Sequence, residues 1–256
     1  MLFLNVEHPF LNNTTETLNI VPLGDLHIGD PAFDEKKLQE KLLFIKDTQT
    51  LVVLTGDCIN NGLKSSVTNS YEEVLKPSEQ VKYLVSLLTP IKHQIIAGIE
   101  GNHERRTTKE VDQSPTEHYC ERLGINYCGD EVLLKFLFGK NAHNKPICYS
   151  AYATHGGGGG GNTPGNAVNM SARLGQVVYA DIYFNGHTHK IDGRPDVCLV
   201  PDMRTEKVNE IETLFVSTGG FLQRRGYPVH KVMKPLRLGA PTVILSGKTK
   251  KANCTV

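Results

Sequence analysis

The chain has 256 residues, with 28 Lys and Arg against 27 Asp and Glu, for a formal charge of +1. Hydrophobic residues make up 39% and there are 24 glycines, a globular composition long enough to bury a core without a disulfide frame. The balance of charge excludes the broad basic footprint of a nonspecific nucleic-acid binder, leaving only local patches, and no run nears the roughly 20 apolar residues of a membrane helix.

In chain order, Met1 to Phe10 is only briefly apolar and has no basic lead, so no signal peptide is expected. Short β-branched runs then predict strands at Leu18–Leu23, Leu51–Leu54, Gln94–Gly98, Ile147–Thr154, Ala180–Asn185, Thr213–Ser217 and Thr242–Leu245. Between the first two, Leu38, Leu42 and Ile45 share a helical face after Asp34. Val81, Leu84, Val85 and Leu88 form another, which Pro90 stops. Ser114-Pro115-Thr116-Glu117 reads as a capping box with Pro at the first helical position, and Gly124 stands where that helix should end. Alternation of strand and helix, then mostly strands, predicts sheets flanked by helices.

No repeat, charge block or Pro-rich linker marks a boundary, so residues 1–256 read as one domain. Six scattered cysteines without a Cys-x-x-Cys pair read as reduced thiols in a cytoplasmic protein, and the sequon Asn13-Thr14-Thr15 as a chance match. The glycine run Gly156–Gly161 satisfies a dinucleotide fingerprint trivially. Pro164-Gly165 predicts further loop rather than the helix a Rossmann turn needs, and no Gly-Lys-Ser/Thr follows. The run reads as a mobile loop, or as backbone amides placed near a phosphate.

The chemistry sits just after the predicted strands, where open α/β architectures place ligands. These segments are Gly24-Asp25-Leu26-His27, Thr55-Gly56-Asp57, Gly101-Asn102-His103-Glu104, His155-Gly156 and Gly186-His187-Thr188-His189. In an extended segment Asp25 and His27 point the same way and converge on one ion. His187 and His189 do the same if extended, whereas a turn would send them to different ions. The donors are two carboxylates (Asp25, Asp57), one amide oxygen (Asn102) and four imidazoles (His27, His155, His187, His189). That set exceeds one tetrahedral zinc and suits two ions sharing a carboxylate, with manganese foremost and iron or zinc as alternatives to an all-oxygen magnesium or calcium cage. Taken singly, Asp-x-His is an accident or a cap and Gly-Asp a turn. In this order, each behind a strand, accident is remote.

The series resembles the calcineurin-like metallophosphoesterase superfamily, whose blocks D-x-H, G-D, G-N-H-D/E, H and G-H-x-H all occur in order between Asp25 and His189. The glycine run and Gly-Asn-His-Glu-Arg-Arg resemble its small single-domain bacterial and phage-type members. The resemblance implies an α/β fold, a four-layer αββα sandwich of two mixed β-sheets flanked by helices. It also implies two divalent metal ions at one edge. Asp25, His27 and His189 would bind the first, Asn102, His155 and His187 the second, and Asp57 would bridge them. The implied reaction is phosphate-ester hydrolysis by in-line attack of a metal-bridging hydroxide, with His103 protonating the leaving oxygen and Glu104 or Asp25 holding its ring.

The second block departs from the superfamily's protein phosphatases. Those carry Gly-Asp-x-x-Asp-Arg-Gly, whereas this chain reads Gly56-Asp57-Cys58-Ile59-Asn60-Asn61-Gly62. Arg105 and Arg106 stand as replacements for the missing phosphate contact or as a solvated pair, and Arg224-Arg225 as weaker candidates. Asn60 and Asn61 read as substrate contacts or as a plain turn. The missing arginine favours phosphodiesters, either nucleotides or nucleic acid, with phosphomonoesters as the alternative. A catalytically silent metal-binding module is the remote alternative, since no ligand or acid is missing. No membrane partner is expected.

Overall fold

The structure is a computed structural model describing residues 1–12, 17–66, 70–140, 146–157, 165–225, 229 and 234–256, with the side chains of 139, 140, 165–168 and 171 left out. The sequon Asn13-Thr14-Thr15, Gly158–Gly161 of the glycine run and Asn162 to Pro164 lie outside the described residues.

Two six-stranded mixed sheets face each other. The first contains β1 (Leu2–Val6), β6 (Glu131–Lys140), β7 (Pro146–Thr154), β8 (Ile182–Asn185), β10 (Lys207–Thr218) and β9 (Ile191–Asp202), in that spatial order. The second runs β12 (Ala252–Thr255), β11 (Thr242–Ser246), β2 (Thr17–Leu23), β3 (Thr50–Leu54), β4 (Ile95–Gly98), β5 (Asn126–Tyr127). Period-two alternation explains how each central strand serves two layers. Ile20, Leu51 and Val53 point inward to meet Leu134, Phe136, Ala151, Phe184 and Val216 of the other sheet. Their neighbours Val21, Val52 and Leu54 point outward under α1 (Glu35–Asp47), α2 (Pro77–Leu88) and α4 (Pro115–Leu123). On the far side Tyr152, Tyr183 and Phe215 pack with Leu174 of α5 (Gly165–Leu174). The result is the four-layer αββα sandwich. Full burial of each such side chain contributes roughly 1.5–3 kcal/mol, so this double use of strands supplies most of the fold's driving force.

The helix ends follow their local signals. Asp34 caps α1 by accepting from Lys37 N, Ser114 Oγ accepts from Glu117 N, and Gly124 closes α4 at φ 69°. The strand predictions fall on β2, β3, β4, β7, β8, β10 and β11; β4 begins at Ile95, not Gln94, and β8 at Ile182, not Ala180, whereas β10 begins well before Thr213, at Lys207. Reading Pro164-Gly165 as further loop is corrected, because α5 opens at Gly165. Packing of Met170 and Leu174 overrides the local preference.

The short strand pairs that matter for function are parallel: β2–β3, β3–β4 and β7–β8. Parallel pairing sends the C-terminal ends of each group to one edge, and the loops leaving them meet there.

Candidate metal centre

Gly56 and Gly101 let the β3 and β4 loops touch. A Cβ on Gly56 would lie 2.6 Å from Gly101 Cα, and one on Gly101 would strike the backbone nitrogen and Oδ1 of Asp57. The β2 loop is stitched alongside by Asp25 N to Gly56 O and His27 N to Asp57 O, both 3.0 Å.

The expectation that Asp25 and His27 converge from an extended segment is corrected. Asp25 (φ 49°), His27 (51°), Asp57 (51°), Asn61 (48°), His187 (69°) and His189 (54°) all adopt left-handed backbone. Each such residue costs roughly 1–2 kcal/mol, and the strain concentrates where side chains must be aimed together. The turns also part the last two histidines, the second of the two arrangements foreseen for them.

Two groups of the predicted donors result, and a third grouping, His27, Asp57 and His103, joins the predicted acid to them. In one, Asp25, His27 and His189 bring their ligand atoms together, with His189 Nε2 3.3 Å from Asp25 Oδ1 and 3.1 Å from His27 Nε2. In the other, Asp57, His155 and His187 meet. Asn102 Oδ1 joins them, 2.9 Å from His155 Nε2 and 2.8 Å from His187 Nδ1. Asp57 Oδ2 lies between the groups, 3.9 Å from His27 Nε2 and 3.3 Å from His155 Nε2. Every sequence-identified donor is therefore in the cluster.

The donor set fits cations. Asp25 Oδ1 is buried with no hydrogen-bond partner, a desolvated acceptor that only positive charge satisfies well. His155 commits Nδ1 to Thr55 O at 2.8 Å, which leaves Nε2 facing the cluster as a metal-ligating histidine should. Burial opposes charge on His27 and His155, yet Asp25 and Asp57 override it for His27 and Asp57 for His155, whose pKa rises to about 10. Burial likewise opposes the Asp57 carboxylate, which His155 and His103 nonetheless hold well below the usual range. A dinuclear metal-binding architecture is present.

His103 lies beside the cluster, with Nε2 3.8 Å from Asp57 Oδ2. Neither Glu104 nor Asp25 holds its ring. Its Nδ1 is 2.7 Å from the backbone oxygen of Asn60. Glu104 is fully buried and does other work: it accepts from the backbone nitrogens of Asp57 (2.9 Å), Cys58 (2.7 Å) and Ile59 (3.1 Å), clamping the turn that presents Asp57. The sequence signal for that clamp is the acidic residue after Gly-Asn-His; its target was not legible.

The remaining candidates separate. Arg105 turns away to Glu100 and Asp130, whereas Arg106 Nη1 reaches Asn60 O at 3.2 Å beside His103. Asn61 is buried and donates to His103 O at 2.7 Å, so the side chain at the missing-arginine position serves helix α3 (Glu104–Val111) rather than the cluster. Asn60 bonds His27, Asp30 and Glu73. Arg224 and Arg225 are exposed. Glu73, on a loop with no motif, went unnoticed in the sequence.

The family model of the calcineurin-like phosphoesterases matches residues 18–191, over half the chain. No curated protein matches. Among solved structures, GAP50, the anchor in the inner membrane complex of Plasmodium, is 11% identical, covering 90% of this chain and 81% of its own, at a TM-score of 0.47. Wild-type Vps29 complexed with Zn²⁺ from Entamoeba histolytica is 12% identical, over 93% and 97%, at 0.42. A metallophosphoesterase from Sphaerobacter thermophilus is 12% identical, over 90% and 83%, at 0.38. Among the described residues no helix is long and apolar enough to cross a membrane.

Proposed function

The chain belongs to the calcineurin-like phosphoesterase family, whose fold and metal-binding motifs support a metal-dependent hydrolase, and we propose that its substrates are phosphodiesters, nucleotides or nucleic acid. The observation that carries the preference is Asn61. Its amide is spent on His103 O and Thr107, so no guanidinium reaches the cluster from that position. A monoester dianion needs more positive charge than a diester monoanion, and among the described residues the candidate arginine that reaches the site is Arg106.

In this reading Asp25, His27 and His189 hold one divalent ion, Asn102, His155 and His187 the other, and Asp57 serves both, with manganese as the first choice of metal. Two such ions supply Lewis acidity that offsets charge on phosphate oxygens and eases deprotonation of water. The protein's own part is positional. Glu104 holds Asp57 in place through the backbone, and Asn60 O fixes the His103 ring so that Nε2 faces the reacting centre. Burial and then the neighbouring His27 press the His103 pKa down to about 3 in the metal-free protein, and in this reading Nε2 carries a proton to the leaving oxygen once substrate is bound. Arg106 is the phosphate contact we favour, since Arg105 is engaged with Glu100 and Asp130. One domain spans residues 1–256. Six free cysteines, three of them buried, fit a cytoplasmic setting.

Paired initial rates on a chromogenic phosphodiester and its monoester, with Mn²⁺ and an Asp57→Asn blank, test this. A faster diester rate is expected. A faster monoester rate moves the assignment to a phosphomonoesterase, which the position of Arg106 would favour. No rate above the blank on either substrate overturns both.

A further inference from the structure

Glu73 lies outside every motif, on the loop before α2, yet its carboxylate ends a chain of hydrogen bonds that leads to the metal cluster. Its Oε1 accepts from Asn60 Nδ2 at 2.6 Å, and its Oε2 from Gln80 Nε2 at 2.6 Å. Gln80 is buried and otherwise committed, donating to Leu75 O at 2.8 Å and accepting from Asn61 N at 2.8 Å. Asn60, also buried, presents Oδ1 to His27 Nδ1 at 3.2 Å. Asp30 Oδ2 stands behind Asn60 Nδ2 at 3.4 Å, near the limit of a hydrogen bond.

The chemistry of these groups fixes the direction of each bond. An ionised carboxylate only accepts, so the end of Asn60 facing Glu73 must be its NH₂. The end facing His27 is then the amide oxygen, which can only accept, so His27 Nδ1 must carry a hydrogen. With Nδ1 protonated, the neutral ring offers its lone pair at Nε2, the atom that faces Asp25, Asp57 and His189. Without Glu73 the long contact to Asp30 is the remaining described tether on the NH₂ end, and Asn60 gains freedom to flip. Its NH₂ would then face Nδ1 and favour the opposite tautomer, in which Nε2 bears the hydrogen and cannot ligate.

We infer that Glu73 is a positioning residue that, through Asn60, sets which ring nitrogen of His27 is offered to a metal ion. The inference rests on the reading of His27 as a ligand. It gives Asn60 a role different from substrate contact, because both ends of its amide are engaged within the protein.

The test uses the full chain as parent, Glu73→Leu, and a double variant that combines Glu73→Leu with Asn60→Asp. In metal-free protein, nitrogen NMR of the His27 ring, at a pH where it is neutral, reports the tautomer directly. The parent should show hydrogen on Nδ1, and Glu73→Leu should shift population to Nε2. Titration with Mn²⁺ should show one of two binding steps weakened about 10–100-fold in Glu73→Leu, the range for lost support behind a metal-binding histidine, with the other step unchanged. The double variant should restore both readouts, since a carboxylate at position 60 accepts from Nδ1 in either orientation. An unchanged tautomer in Glu73→Leu overturns the inference, as does failure of the double variant to restore it. A parent with the Nδ1 tautomer but no Mn²⁺ binding overturns the metal reading of His27 instead.

Discussion

Replacing Glu104 by Gln keeps the shape of a fully buried side chain and removes its charge and one acceptor. In the parent, Oε2 serves Asp57 N, while Oε1 serves both Cys58 N and Ile59 N. The amide does least damage with its oxygen at the Oε1 position, which leaves the Asp57 N–H facing an NH₂. One buried unsatisfied donor costs about 1–3 kcal/mol, and each remaining bond drops from the charge-assisted range of about 1.5–3 kcal/mol toward about 1 kcal/mol. Part of this is offset, because burial and then Asp57 push the Glu104 pKa up to about 7, so the carboxylate is itself a costly group to bury. The net loss expected is about 2 kcal/mol, or about 4–8 °C in Tm for a chain of this size. Metal-free parent and variant should be compared by thermal and urea unfolding at pH 8, followed by Mn²⁺ titration. Affinity should fall with stability, because the residue that loses its backbone anchor is the carboxylate lying between the two donor groups. A variant with the parent's Tm and the parent's Mn²⁺ affinity would refute the role of Glu104 as the clamp on Asp57.

His103→Gln should retain Mn²⁺ binding while losing about 10²–10⁴-fold in rate on esters with poor leaving groups and much less on good ones; equal losses on both would remove it as the acid. Arg106→Ala should raise KM by about tenfold or more, whereas Arg105→Ala should leave KM alone and cost about 1–3 kcal/mol of stability, read by urea unfolding, because its partner Glu100 is a buried carboxylate. Lys41 lies outside the site, bonded to Thr242 Oγ1 at 2.8 Å and set over Phe44, and burial lowers its pKa to about 8. Unfolded lysine holds its proton to about 10.4, so between those values the unfolded chain binds more protons and this residue makes stability rise with pH. Lys41→Met should therefore stabilise the protein by about 1 kcal/mol below pH 8, after allowance for solvent screening, with the gain fading toward pH 10 in unfolding curves. A gain independent of pH would show that the ammonium is not the destabilising group.

Much of this molecule is written locally. The caps at Asp34, Ser114 and Gly124 act through neighbouring backbone groups, and the apolar face of α1 follows from a period of 3.6, so both are legible in the chain. The seven donors are legible too, because each follows a short β-branched run that could only be a buried strand. Strands β1, β5, β6, β9 and β12 carry no such pattern. β9 carries Gly193 and Pro195, and beyond Asp196 it pairs with β10 as an exposed arm held by backbone hydrogen bonds, which leave no mark in side-chain pattern. β6 reads as a mixed run until Leu134, Phe136 and Phe138 find the facing sheet.

The sequence by itself determined which donors exist and behind which strands they stand. The tertiary structure decided how they divide into groups, because that depends on left-handed turns at Asp25, His27, His187 and His189 that only close packing of several loops sustains. It also assigned Glu104 to the backbone of Asp57 and Glu73 to Asn60, 47 and 13 residues away along the chain. A hydrogen bond between such residues is set by where two loops meet, and residue spacing carries no record of that.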